Sequence, residues 1–557
     1  MMSVETAARP VGAEATPAPL VSMPPMPASW SSLGRAFVCS ARHRAGAPAF
    51  ADSTGAALSY RQALIKALAL GRVLERVIGP ARNVGVLLPP TCAGAVTNLA
   101  LTLRGRVPVN LNYTANQESV DSAVDQAQIT HVLSSKRMLD RIPLRPKGQL
   151  VVLEDVAKLV GPLDKAWAAS VALLIPISAM GSVLPGLKHE DLDAPATIIF
   201  TSGSTGQPKG VVLTHRNILS NARQIESHIH LTPADVVLGI LPFFHSFGFT
   251  VPLWTVACIG LKGVYHTNPL DAQVIAKLTR EHKATVILAT PTFVRGYLKR
   301  CKKEDFSSVR LLVLGAEKLK PELAGQIREA WGIDPLEGYG CTETGPVVSV
   351  NSPYERKATD GRPVPGNRPG TVGQPMPGTT IKTIDPETGA DLPPGREGII
   401  CVKGPQIMPG YLDRPDATSE VLQSGWYSTG DLGLVDPDGF LSITDRLSRF
   451  SKVAGEMVPH GVVESAINEA AGGGGDQVAV VTSLPDPKRG ERLVVLHTPG
   501  LAMSPQDVAR RLQSGTLPKL WIPSADDFVA VEEIPVLGSG KLDLRRLREI
   551  ARERLGG

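Results

Sequence analysis

The residues best suited to chemistry cluster first in one stretch, Thr197 to Gly210 (TIIFTSGSTGQPKG), where an apolar β-prone run opens into small hydroxyl residues, glycines and a lysine. Gly203, Gly206 and Gly210 let the backbone approach an anion and take unusual dihedrals. Thr201, Ser202, Ser204 and Thr205 supply hydroxyl donors, and Lys209 supplies a mobile cation. These are the parts of a phosphate cradle. The spacing is not that of a P-loop: GxxxxGK[ST] is absent, and Lys209 leads into Gly210 and the apolar run Val211 to Leu213 instead of a helix start. Alone, such a loop also suits a surface turn between two strands. Its company decides, namely Glu337 to Glu343 (EGYGCTE), Trp426 to Gly433 (WYSTGDLG), Lys452 to Val458 (KVAGEMV) and Leu537 to Lys541 (LGSGK).

With these segments the chain resembles the adenylate-forming superfamily of acyl-CoA synthetases, nonribosomal adenylation domains and luciferases. More narrowly, it resembles the acyl-ACP synthetase half of bacterial 2-acylglycerophosphoethanolamine acyltransferases, over nearly everything from about residue 30 onward. No HxxxxD segment of an acyltransferase precedes it. The resemblance implies a reaction in which a carboxylate meets the α-phosphorus of ATP. Two anions must then be neutralised and held in line. Under it, Glu343, with Thr205, holds Mg2+, and Gly338, Tyr339 and Gly340 lie against adenine with Thr342 beside the phosphate. Asp431 takes the ribose hydroxyls and Arg446 the ribose or phosphate. Lys541, an ammonium on a long stem in a glycine loop, bridges the carboxylate and the α-phosphate as charge develops.

Displacing AMP from a mixed anhydride calls for a sulfur nucleophile. No cysteine of the chain has a neighbourhood that would activate it, so the thiol is expected from outside, as the pantetheine of CoA or of an acyl carrier protein. The loop around Gly455 resembles the family's pantetheine tunnel. Arg449, Lys452, Arg545, Arg546 and Arg548 are candidate cations for an acidic carrier protein, or ordinary solvated charges. Pro242 to Gly248 (PFFHSFG) resembles the family segment beside the carboxylate, with His245 as a catalytic candidate and Phe244 on the pocket wall. Phe249 to Ile259 and the turn Gly315, Ala316, Glu317 are expected to wall an apolar channel suited to a fatty acid. An aspartate for a substrate amine is missing there, which argues against amino acids. An aryl acid as substrate, or a non-catalytic carrier-binding relative, are the alternatives.

The elements that must hold these residues follow from periodicity. Length demands more than one core. From Leu58 on, helical and strand patterns alternate. Helices are predicted over Tyr60 to Ile78, Ala93 to Leu103, Asp271 to Glu281 and Pro321 to Trp331. Strands are predicted over Val84 to Leu88, His131 to Ser134, Val236 to Leu241, Thr285 to Ala289 and Arg310 to Leu314. This is a layered α/β architecture with largely parallel sheets. Between Pro363 and Gly439 frequent Pro and Gly predict a β-rich subdomain. The expected organisation is a disordered tail over 1–30, a large N-terminal domain over 31–446 and a small mobile α+β domain over 447–557. The family hinge falls at Ser448, where the pattern departs: Asp445 replaces its glycine and Ser448 its Asp or Lys. Six scattered cysteines without a CxxC pair fit a reducing cytoplasm, and the N-terminus lacks the pattern of a signal peptide. Ala166 to Leu187 carries no charge, but prolines and Gly181 interrupt it. It reads as a packed segment, or as one touching a lipid monolayer, giving at most weak peripheral membrane association.

Overall fold

The computed structural model describes residues 20–187, 191–201, 208–454, 456–471, 477–501, 503–515, 517–536 and 542–556. Strands Val286–Ala289 (VILA) and Leu311–Leu314 (LLVL) are buried along their whole length. Unbroken apolar runs of this kind are what a parallel strand covered on both faces requires. They lie at the centre of a nine-stranded sheet whose parallel core runs Leu336–Gly340, Leu311–Leu314, Val286–Ala289, Val236–Gly239, Lys262–Tyr265, Pro48–Asp52. Antiparallel strands close both edges, Ala57–Ser59 at one and Val347–Val350 with Gln374–Pro375 at the other.

A second, four-stranded parallel sheet has the order Val107–Asn110, Asn83–Val86, His131–Ser134, Gln149–Val152. The hairpin Pro195–Thr201/Lys209–Thr214 adjoins it, tied by the Thr197 hydroxyl donating to the Pro108 carbonyl at 2.7 Å. Helix Tyr60–Ile78 matches its predicted bounds. A capping box explains its start: the Ser59 hydroxyl accepts from the Gln62 N–H, and the Gln62 side chain accepts from the Ser59 N–H at 2.9 Å.

Helix His215–His228 is the joint of the large domain. Asn217, Asn221, Gln224 and His228 recur at helical spacing on one buried stripe. Asn217 donates to the carbonyls of Pro405 and Ile407, and Asn221 both donates to and accepts from the Val347 backbone. Gln224 reaches Pro377, Thr379 and Gln406, and His228 bonds the Val350 carbonyl at 2.8 Å. These side chains satisfy strand and loop groups that would otherwise be buried without partners.

The β-rich subdomain is a five-stranded antiparallel sheet ending in Trp426–Val435 paired with Leu441–Arg446. A turn at Leu447–Arg449 follows, and Phe450–Val453 opens a separate sheet with Glu456–Pro459, Gly490–His497, Ala479–Asp486 and Phe528–Ala530. Residues 20–30, assigned to the tail by sequence, instead pack: the Gly378 N–H donates to the Val21 carbonyl at 2.6 Å, and Trp30 is buried. Apolar composition without periodicity gave no sign of this docking.

Candidate active site between the sheets

One cavity of about 1770 Å³ gathers the ends of these elements. Thr201 and Lys209 face each other in register where the hairpin opens, and both line it. Helix Gln117–Gln126 braces this rim, Gln126 donating to the Pro208 carbonyl at 3.1 Å. Ser202, Gly203, Ser204, Thr205 and Gly206 lie outside the described residues.

Strand Leu336–Gly340 brings Gly338, Tyr339 and Gly340 to the cavity and turns sharply into Thr342 and Glu343. The turn is held by Thr344, whose hydroxyl accepts from the Cys341 N–H at 3.1 Å. Gly340 admits no side chain, because a Cβ there would stand 1.9 Å from the Pro346 carbonyl oxygen. Glu343 is fixed at both ends: its carbonyl accepts from the Met408 N–H at 2.8 Å and its carboxylate from the Tyr411 hydroxyl at 2.9 Å. The Lys209 ammonium sits 5.0 Å over the Tyr411 ring. Tyr411 thus links the cradle cation to the acidic residue. It was missed by sequence, since its only signal is a lone Tyr in a Gly-Tyr pair.

Asp431 departs from the strand-edge position expected of it. It lies within the ten-residue strand Trp426–Val435, directly across from Arg446, and is 6% exposed. Its two oxygens accept from the Tyr339 hydroxyl and from Arg446 Nε, each at 2.5 Å. Tyr339 and Arg446 line the cavity and Asp431 stands behind them. The Asp431 charge holds the Arg446 guanidinium above its usual range, and burial followed by the same carboxylate raises the Tyr339 phenol, so both remain donors.

Ser246–Phe249 begins a helical segment that winds as a π-helix over Thr250–Thr255, and His245 precedes it at the cavity wall. The Ser246 hydroxyl is 3.5 Å from that of Thr342. Phe244 is not on the wall: it backs Tyr113, edge to face at 4.7 Å, and Tyr113 lines the cavity in its place. Gly315 and Ala316 line it too, Ala316 with a positive φ of 71° that marks a constrained turn. Glu317 turns away. Its carboxylate accepts from the Thr292 hydroxyl and N–H at 2.6 and 3.2 Å, and burial raises its pKa.

The small domain contributes the opposite lip. Val536 and Leu542 bridge each other and both line the cavity, as do Arg545 and Arg546. Lys541 and Gly455 lie outside the described residues, as does the Ser448 side chain. Arg449 is not the surface cation that sequence suggested, being ion-paired with buried Glu464. At the hinge, Asp445 accepts from the Arg446 N–H at 2.8 Å and the Gly461 N–H at 3.1 Å, tying the last strand of one sheet to the first helix of the next domain.

Burial raises the thiol pKa of Cys39, Cys92, Cys258, Cys301, Cys341 and Cys401, so none is a ready thiolate. Among the described residues no three His, Cys, Asp or Glu side chains gather as a metal cage. The single carboxylate of Glu343 fits instead a cation carried in by nucleotide phosphates.

Glu337, one residue before the cavity strand's glycines, has its carboxyl pushed up to about 7 by burial, against which the Leu319 N–H works at 3.0 Å. Because the folded value lies above the unfolded one, its stabilising share is complete below about pH 4.5 and is lost as pH rises through 7. His228 and His460, pushed down to about 3 by burial, act in the opposite sense. Glu337→Gln is therefore expected to gain Tm relative to the wild type as pH rises from about 5 to 8. Parallel Tm-against-pH curves for the two proteins would count against this assignment.

The AMP-binding enzyme family matches residues 37–412. The chain is 30% identical to a long-chain-fatty-acid–CoA ligase of Escherichia coli O6:H1, covering 94% of this chain and 96% of that one. It is 27% identical to a feruloyl-CoA synthase of Amycolatopsis, over 88% and 93%. Among solved structures, ATP-bound MatB from Rhodopseudomonas palustris superposes with a TM-score of 0.74 at 25% identity, over 93% of this chain and 98% of MatB.

Proposed function

Because the chain belongs to the AMP-binding enzyme family, we propose that it is an ATP-dependent acid–thiol ligase that activates a fatty acid as its acyl adenylate and passes it to a pantetheine thiol. The observation that carries the acid's identity is the apolar limb of the cavity. Ile225, Ile229, Leu231, Val237, Val251 and Val286 line the same space as Lys209 and Glu343. Such a limb matches an alkyl chain, whose burial is favourable at roughly 0.8 kcal/mol per CH2.

In the first step a carboxylate oxygen attacks the α-phosphorus and pyrophosphate leaves. Lys209 and the cradle hydroxyls hold the β- and γ-phosphates, Thr342 and Ser246 face the reacting phosphate, and Lys541 meets the charge that develops. Glu343 would hold Mg2+, which neutralises phosphate charge. Tyr339 lies along adenine, and Asp431 and Arg446 take the ribose once Arg446 shifts. In the second step a thiolate attacks the acyl carbon and AMP departs, with Gly455 in the pantetheine path and Ser448 at the pivot of a small domain starting near residue 447. His245 stands where the acid's carboxylate would enter. CoA is the acceptor we favour over a carrier protein, because three of the five candidate carrier cations are already ion-paired: Arg449 with Glu464, Arg545 with Glu549, and Arg546 with Glu549 and Glu553.

The test is ATP-dependent pyrophosphate release with fatty, aryl and amino acids, without thiol and then with CoA or holo acyl carrier protein. A response confined to fatty acids and stimulated by CoA is expected. A response led by aryl acids, for which the feruloyl-CoA synthase is the precedent, would replace the substrate assignment. Silence with every acid would replace the ligase by a carrier-binding relative.

A further inference from the structure

Helix Pro162–Leu173 covers the protein with one face and leaves the other to solvent. Asp164, Ala168, Val171 and Ala172 point inward. On the outer side Leu163 is 81% and Leu174 76% exposed, with Leu173 at 53% and the preceding Leu159 at 57%. Leu163 and Leu174 are eleven positions apart, which at 3.6 residues per turn places them within roughly 20° on one stripe about 16 Å long. The other exposed large apolar side chains, Leu270, Leu447, Val462 and Val536, are scattered along the chain. No charge interrupts the sequence from Ala166 to Leu187, and no helix among the described residues is long and apolar enough to cross a membrane.

We propose that this leucine face docks the protein on an anionic lipid bilayer surface. Three observations select that occupant. The stripe is narrow, a few leucines wide, where a stable protein interface takes roughly 800 Å² per partner. It has the form of an interfacial helix whose apolar edge enters the boundary between headgroups and acyl chains. The charges around it favour anionic headgroups: Arg72, Arg76, Arg104, Lys136, Lys158 and Lys165 stand against Glu75, Glu154, Asp155 and Asp164, a surplus of two positive charges. Asp164 is held by Arg72 and Arg76, and Asp155 by Lys136 and Lys158. Glu154 lines the cavity and opens the short helix that runs into Leu159. Under the fatty-acid reading, the docked face therefore lies beside the site that must draw an apolar acid from lipid. The docking itself does not depend on that reading.

The experiment is sedimentation of the full chain, without substrate, on phosphatidylcholine vesicles with and without about a quarter phosphatidylglycerol. Binding is expected on the anionic vesicles, falling as salt is raised. The double variant Leu163→Asp/Leu174→Asp should lose roughly tenfold or more in partitioning, while Val462→Asp on the small domain keeps it. If the aspartates lower Tm, Leu163→Ser/Leu174→Ser supplies the same comparison. Absence of wild-type binding, equal binding by the double variant, or a dimer in solution that the double variant dissolves would each overturn the proposal. The last would assign the face to a second copy.

Discussion

Lys541→Ala is expected to slow pyrophosphate release from ATP and fatty acid by roughly a hundred- to a thousandfold, the usual cost of removing one preorganised donor from developing charge. Thioester formation from preformed acyl adenylate and CoA should change by less than about threefold, since that step breaks the acyl carbon–oxygen bond and neither makes nor breaks a bond at the α-phosphorus. The reason to single out this lysine is positional. Val536 and Leu542, the described neighbours of its segment, bridge each other at the cavity, on the lip opposite Lys209 and Glu343. Measuring both half-reactions in one preparation separates this from a folding defect. Equal losses in the two would remove Lys541 from the role.

Asp431→Ala should raise the KM for ATP by roughly ten- to a hundredfold, as expected for the loss of one or two charge-assisted hydrogen bonds. Two effects combine. The ribose loses its acceptor, and Tyr339 and Arg446 lose the carboxylate that aims them. Deoxynucleotides tell the two apart. The wild type should discriminate against 3′-deoxy-ATP, and the variant should discriminate much less, because the missing hydroxyl has no partner left to lose. If discrimination persists in Asp431→Ala, the carboxylate serves only to position Tyr339 and Arg446. Asp431→Asn, which keeps one acceptor and the side-chain volume, should fall between the two.

Sequence by itself determined the architecture wherever one signal was strong over several residues. The apolar runs Val286–Ala289 and Leu311–Leu314 read as strands between helical patterns and are buried strands, and Tyr60–Ile78 carries its own cap. The glycine, hydroxyl and lysine types of 201–210 carried the expectation of phosphate chemistry, because backbone approach and donor types are local properties. What sequence could not weigh was direction and partnership between distant segments. Nothing near Phe244 or Glu317 tells that one backs Tyr113 and the other turns to Thr292. The strand register alone sets Asp431 opposite Arg446, where it is a buried carboxylate held by Tyr339 and Arg446. Tyr411 stands between Lys209 and Glu343 because a two-residue strand pairs it with the hairpin. The uncharged run after Lys165 was legible as apolar, but only packing shows which leucines the fold leaves facing water. Tertiary structure decides such matters because a side chain's partners are fixed by which backbones pack together. That choice is made by the whole core, not by any stretch read alone.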